Sequence, residues 1–292
     1  MAFDANATNF CAANALLLAE ASEAAYGTEE AARNLMATHG LTEFQWLDLS
    51  GIFEGLHAFT ASNEQFTILA FRGTADVKDW MTDLHATPAR YSWVFQGAPE
   101  TGDIHAGFGH ALCDRWKDVV NAVDKVMPRR QLQDTKSADP QTTFWITGHS
   151  LGGALAALAG SAFTLLPGVI RPVSGIYTFG QPRIGLHNFC NTYDRLLTGV
   201  TFRLVNNRDL VPRVPFRGWD YSDIGEMIHF DANGTPRRQS EQWRGFLSRT
   251  FESFAEATEI FAHLNMDVGD HSMSKYKQLV AGQQDALARI FT

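Results

Sequence analysis

The chain has 292 residues, 45% of them hydrophobic and 19% charged. That is the balance of a folded chain able to bury a sizeable core, not of a disordered one. A formal net charge of −8 argues against nucleic acid as a partner and against electrostatic docking on anionic membranes, and no apolar run approaches the roughly 18 residues of a membrane span.

Taken from the N-terminus, the first pattern is NALLLAEASEAAY, read as an amphipathic helix from Asn9 to Tyr26. A signal peptide is not the reading. No Lys or Arg precedes Arg33, Asp4 stands where a leader carries positive charge, and Glu20 and Glu23 interrupt the apolar run. A cytoplasmic location is therefore the default expectation, with secretion left open. Seven strand-like runs follow: FQWLDL, GLHAFTA, FTILAFRG, TFWITG, GIYTFGQ, TFRLVNN and MIHFDA. Several are continuously apolar, as strands buried on both faces are. Helical patterns lie between them. Phe108, Leu112, Trp116, Val119, Val123 and Met127 recur at helix spacing, and further patterns start after Leu151 and after Leu186 and span Lys275 to Ile290. Strands alternating with helices predict an α/β sheet covered on its faces. PRRQLQDTKSADPQ (128–141) reads as a surface loop, no internal repeat is present, and residues 1–292 are expected to form one domain. Cys11, Cys113 and Cys190 are odd in number and widely spaced, so buried free thiols are expected. No HExxH or CxxC occurs, and neither metal nor cofactor is expected.

The informative stretch is TFWITGHSLGGALAALAG, Thr143 to Gly160. A strand pattern becomes a helix pattern at Gly148-His149-Ser150-Leu151-Gly152. In a G-x-S-x-G turn of this kind the glycines keep side chains out of a crowded bend, and the serine hydroxyl is lifted above the sheet edge. The helix that follows offers unpaired N–H groups and a positive dipole end. The competing reading is a serine that merely caps the helix. A serine nucleophile needs a base, and the base needs a carboxylate to fix its tautomer. Downstream, Asp209 follows the TFRLVNN strand at its C-terminal end, where sites form on such sheets. Three histidines follow Asp209. His229 sits inside a strand pattern, His263 in an apolar helical stripe, and His271 in a loop before the terminal helix. A loop position suits a base carried over a rigid scaffold, which favours His271, with His263 second.

Four blocks together, AFRGTADVKDWMTDL, IHAGFGHAL, ITGHSLGGALAAL with TFGQPRIG, and RLVNNRDLVPRVP, resemble the class 3 lipases, the fungal triacylglycerol-lipase-like branch of the α/β-hydrolases. GEMIHFDANG and DHSMSKY follow in the matching order. The resemblance implies an α/β-hydrolase fold with a mostly parallel central sheet, helices on both faces and a short helical lid. It implies Ser150 as nucleophile, Asp209 as orienting acid and His271 as base. The substrates it implies are lipid-like carboxylic esters, met as a triacylglycerol lipase or esterase meets them. A phospholipase A1 or a feruloyl-type esterase shares the same blocks, and a catalytically silent lipid-binding module is the alternative outside enzymes.

An oxyanion hole needs two preorganised donors. The N–H of Leu151 is one, and FRGT supplies Thr74, by its N–H and hydroxyl, as the other. Just beyond, Val77, Trp80, Met81 and Leu84 fall on one helical face, which fits either a lid over an acyl groove or a helix packed on the core. Trp243, Phe246, Leu247, Phe251, Phe254, Phe261 and Leu264 form a second apolar stripe near Arg237, Arg238, Arg244 and Arg249. That stripe is expected as a core helix, with a cap at a lipid interface as the sharper alternative.

Overall fold

The apolar runs read from the sequence pair into one sheet. The computed structural model describes residues 2–51, 53–74, 87–128, 142–238 and 268–291. In chain order the described strands are β1 (Glu43–Asp48), β2 (His57–Ser62), β3 (Phe66–Phe71), β4 (Pro88–Arg90), β5 (Asp103–His105), β6 (Thr143–His149), β7 (Gly175–Phe179), β8 (Gly185–Leu186), β9 (Thr201–Asn206), β10 (Tyr221–Ser222), β11 (Glu226–Phe230) and β12 (Pro236–Arg238). The eight-stranded sheet has the order β1-β2-β3-β6-β7-β9-β11-β12. Its centre, β3 through β11, is parallel, and antiparallel pairs finish both edges. β3, β7 and β9 are buried at every position, because helices cover both faces.

Pleating sorts the side chains of β6. Phe144 and Ile146 join the core under α4 (Ala106–Cys113), α5 (Trp116–Val126), α6 (Leu151–Leu165) and α7 (His187–Leu197). Trp145 faces the opposite core, under α1 (Ala12–Ala24), α2 (Glu29–Thr38), α8 (Met273–Gly282) and α9 (Gln284–Arg289). The short α3 (Tyr91–Val94) follows β4. No described helix is long and apolar enough to cross a membrane.

Several expectations change. α1 is not amphipathic. Ala12, Ala15, Leu18, Ala19 and Ala21 are all buried, with Glu20 and Glu23 only half-covered, because α1 lies between the sheet and α8. The pattern from Phe108 to Met127 is two helices. α4 ends at Cys113, and Arg115 turns out of line to donate to the Ser50 carbonyl at 2.6 Å. The terminal pattern likewise breaks between α8 and α9, at Gln283. Of the three free thiols only Cys190 is buried; Cys11 and Cys113 are half-exposed. A second sheet, β10-β8-β5-β4, was not legible, because its strands have two or three residues each. Val77, Trp80, Met81 and Leu84 lie outside the described residues. So do 129–141 of the expected loop and 239–267, with His263 and the aromatic stripe.

One buried ionic cluster fixes the loop between β9 and β10. Asp223 accepts from Arg183 at 3.1 Å, faces Arg203 at 3.4 Å and pairs with Arg217. Arg183 also donates to the carbonyls of Arg213 and Pro215. Burial alone would raise the Asp223 pKa, but the three guanidiniums override it and hold the carboxyl well below the usual range. A carboxylate depressed in the folded state contributes stability that is present above its unfolded pKa of about 3.9 and is lost as pH falls below it. Asp223→Asn leaves Arg183 and Arg203 buried without their counter-charge and is expected to cost about 3–5 kcal/mol. Urea unfolding at neutral pH measures this. The loss should shrink as the pH is lowered below about 4, where the wild-type carboxylate's contribution also fades.

Candidate active site

β6 ends at His149 and α6 begins at Leu151, leaving one residue for the bend. That residue, Ser150, has φ 58° and ψ −129°, a conformation that costs a non-glycine residue about 1–3 kcal/mol. The surroundings enforce it. The Ser150 N–H is tied to the Phe179 carbonyl at 2.9 Å, and its own carbonyl accepts from Gly153 N–H at 2.9 Å. A side chain on Gly148 would collide with the Gly152 carbonyl, and one on Gly152 with the carbonyls of Phe71 and Arg72. The two motif glycines are therefore required by close backbone approach. The same approach presses the end of β3 against the bend. The Ser150 side chain makes no capping bond to α6, which removes the reading of a serine that only caps the helix.

Asp209 follows β9 and is 2% exposed. Its Oδ1 accepts from Val211 N–H at 2.9 Å; its Oδ2 accepts from Tyr276 Oη–H at 2.6 Å and pairs with His271 Nδ1 at 2.7 Å. A carboxylate can only accept, so the proton on His271 sits on Nδ1 and Nε2 presents a lone pair. Burial above all, reinforced by the Asp209 charge, pushes the Tyr276 phenol well up, so it remains a donor. Gly180, at φ 60°, passes so close that a Cβ there would lie 2.8 Å from His271 Cε1 and 2.9 Å from Asp209 Oδ2.

The turn Val268–His271 is fastened to the end of β9 and the Asp209 loop through its own Asp270. Asn206 Nδ2 donates to the Asp270 carbonyl at 2.8 Å, and Asn207 Nδ2 donates to its carboxylate at 2.9 Å. His149 Nε2 lies 2.7 Å from the His271 carbonyl, and the two imidazoles are 4.5 Å apart between centroids. Ser150 is thus one residue from a side chain that touches the His271 main chain. Among the described residues, Ser150 Oγ and His271 Nε2 are buried with no hydrogen-bond partner. A buried hydroxyl and a buried imidazole lone pair, both left open, can exchange a proton once they approach, the chemistry needed to make serine a nucleophile.

Of the residues singled out in the sequence, Ser150, Asp209 and His271 are brought together. Leu151 opens α6, whose first N–H groups lack acceptors within the helix, and half-buried Thr74 stands at the end of the β3 segment pressed on the bend. His229 is a half-buried sheet residue whose Nε2–H donates to the Asn207 carbonyl at 2.9 Å. Tyr26, His149, Gly180, Asp270 and Tyr276 were missed. Of these, His149, Gly180, Asp270 and Tyr276 stand inside the quoted blocks GHSLG, TFGQPRIG and DHSMSKY, and only Tyr26 lies outside them.

Residues 68–219 match the family model described as Lipase (class 3). Triacylglycerol lipase OBL1 of Arabidopsis thaliana is 28% identical over 73% of this chain and 48% of its own length. Lipase of Rhizomucor miehei is 30% identical over 59% and 43%, and phospholipase A1-II 2 of Oryza sativa subsp. indica is 28% identical over 86% and 63%. The chain spans about half the length of the curated relatives it matches. Among solved structures, a lipase from Rhizopus microsporus var. chinensis superposes with a TM-score of 0.54 at 25% identity, covering 76% of each chain. Another, described as a triacylglycerol lipase with a serine protease triad as its catalytic centre, gives 0.61 at 22% identity over 81% and 89%. With the family model spanning more than half of the chain, on an α/β-hydrolase sheet, the chain belongs to the class 3 lipase family.

Proposed function

We propose that this chain is a serine ester hydrolase acting on lipid-like carboxylic esters by way of an acyl-enzyme. The observation that carries the reading is the buried Asp209–His271 pair, whose open Nε2 stands beside the strained Ser150 bend. In this reading His271 takes the Ser150 proton as Oγ attacks the ester carbonyl. Asp209, held by three hydrogen bonds, stabilises the imidazolium without itself taking a proton. The Leu151 N–H and Thr74 receive the negative charge that develops on the carbonyl oxygen. His271 returns the proton to the departing alkoxide, and water repeats the sequence on the acyl-enzyme. That the N- and C-terminal helices pack on one sheet supports treating residues 1–292 as a single domain. The substrate class rests on the family, and the lipid–water boundary is its natural setting. The rice relative, matched over 86% of this chain, keeps phospholipase A1 activity as the second reading.

A panel of p-nitrophenyl esters, triacylglycerol emulsions and phospholipid vesicles tests the class. Hydrolysis of esters and acylglycerols is expected. Release of fatty acid from phospholipid alone would favour the second reading, and inactivity on all three would contradict both. Ser150→Ala should lower kcat by about 10⁶ while far-UV circular dichroism is retained. Asp209→Asn should lower kcat on the order of 10⁴, because the imidazole loses the acceptor that sets its tautomer. Thr74→Val keeps the backbone N–H and removes the hydroxyl; a fall of about 10²–10³ in kcat with KM unchanged is expected, whereas a raised KM at constant kcat would mark a ground-state contact instead.

A further inference from the structure

The residue between glycine and serine in the Gly148–Gly152 turn is a histidine that the hydrolytic steps do not use. His149 is 4% exposed, and both ring nitrogens are engaged. The direction of each bond is forced. The His271 carbonyl can only accept, so His149 Nε2 carries the proton and donates to it at 2.7 Å. Nδ1 is then a lone pair, and the Tyr26 hydroxyl, 2.7 Å away, must donate to it. The Tyr26 oxygen lies directly against the backbone of Gly73. It occupies the space that a side chain on Gly73 would fill. The links therefore run from Gly73, packed on the Tyr26 oxygen, through Tyr26 O–H to His149 and from His149 N–H to the main chain of His271. Gly73 precedes Thr74, the expected oxyanion donor; His271 is the expected base.

We propose that Tyr26 and His149 are positioning residues that lock the oxyanion strand end at Gly73–Thr74 to the backbone of the base-bearing turn, so that the two halves of the machinery hold one mutual geometry. The proposal rests on the hydrolase reading above. A histidine suits the task because a neutral imidazole accepts at one edge and donates at the other, about 2 Å apart across a rigid ring. Protonation would break the lock, since both nitrogens would then donate and Tyr26 would have to reverse. Burial above all keeps the His149 pKa well below its ordinary value, and a proton added to neighbouring His271 would lower it further. The groups facing the chain are Arg72, 5.6 Å over the Tyr26 ring, Tyr276, whose ring centroid is 5.9 Å from that of His149, and His271 itself.

Tyr26→Phe keeps the ring and removes the shared oxygen. A matched control lies one turn earlier on α1. Ser22 Oγ is bonded to Thr147 Oγ1 at 2.8 Å in a buried contact with β6, so Ser22→Ala also removes a buried α1–sheet bond but touches neither end of the lock. On a short soluble ester, Tyr26→Phe is expected to lower kcat about 10- to 100-fold, the scale of a sub-ångström to ångström misplacement of reacting groups, with KM unchanged within about twofold. Ser22→Ala is expected to lower the melting temperature with kcat unchanged. His149→Gln, whose carboxamide still donates to the His271 carbonyl, should retain more kcat than His149→Leu. Unchanged kcat in Tyr26→Phe, or an equal fall in Ser22→Ala, would overturn the proposal. A second readout needs no turnover. Imidazole ¹⁵N NMR of the wild type should show His149 as the neutral Nε2–H tautomer across pH 5–8. A Nδ1–H tautomer or an imidazolium there would overturn the lock, whereas a correct tautomer in a chain that hydrolyses no ester would overturn the hydrolase reading and leave the lock standing.

Discussion

Everything in the site depends on how closely three backbones approach at the Ser150 bend. The end of β6, the first turn of α6 and the end of β3 meet where neither Gly148 nor Gly152 has room for a Cβ. That crowding leaves Ser150 at φ 58° and places the strand end that carries Thr74 against the same bend. The strain is held by ordinary interactions: the Ser150 N–H bond to β7, the Gly153 bond into α6, and the burial of β6 and α6 between two cores. A strained serine is tolerable because the rest of the fold over-determines it.

The second dependence is hydrogen-bond satisfaction. Asp209 brings a negative charge into a site that is 2% exposed. It is met by three donors from three segments: the Val211 amide, Tyr276 of α8 and His271 of the preceding turn. Leaving any of these unmade would cost the desolvation of a charged group. The pairing therefore selects one tautomer of His271 and leaves its other nitrogen open, as the Ser150 hydroxyl is left open. The buried Arg183–Asp223 cluster does comparable work further along, by holding the Arg213 and Pro215 carbonyls of the loop that follows Asp209.

These two dependences account for what could be read in the sequence. The long parallel strands were visible because each is buried on both faces and so is continuously apolar. The Gly148–Gly152 turn was visible because its spacing marks a switch from strand to helix pattern, although Gly152 is required by the distant end of β3. Asp209 and His271 were singled out by order and position, and the structure pairs them. What stayed hidden is non-local. Tyr26 and Tyr276 come from opposite ends of the chain and carry no pattern that distinguishes a hydroxyl aimed at the site from an aromatic in the core. Gly180 is constrained by two side chains that lie 29 and 91 residues further along. The β4-β5-β8-β10 sheet has strands too short for any periodicity. α1 was misjudged because an Ala-rich helix sandwiched between sheet and helix buries residues on every side, while its glutamates suggested a wet face. α4 and α5 share an apolar phase across a break made by Arg115 and its tertiary partner at Ser50.

The central claim is that Ser150 attacks the substrate carbonyl. A p-nitrophenyl alkylphosphonate, which traps an attacking oxygen as a stable phosphonyl ester, tests it most directly when followed by peptide mass mapping. The account predicts one adduct, on Ser150, formed in step with loss of esterase activity and absent from Asp209→Asn on the same time scale. An adduct on another residue, or full loss of activity with Ser150 unmodified, would contradict it.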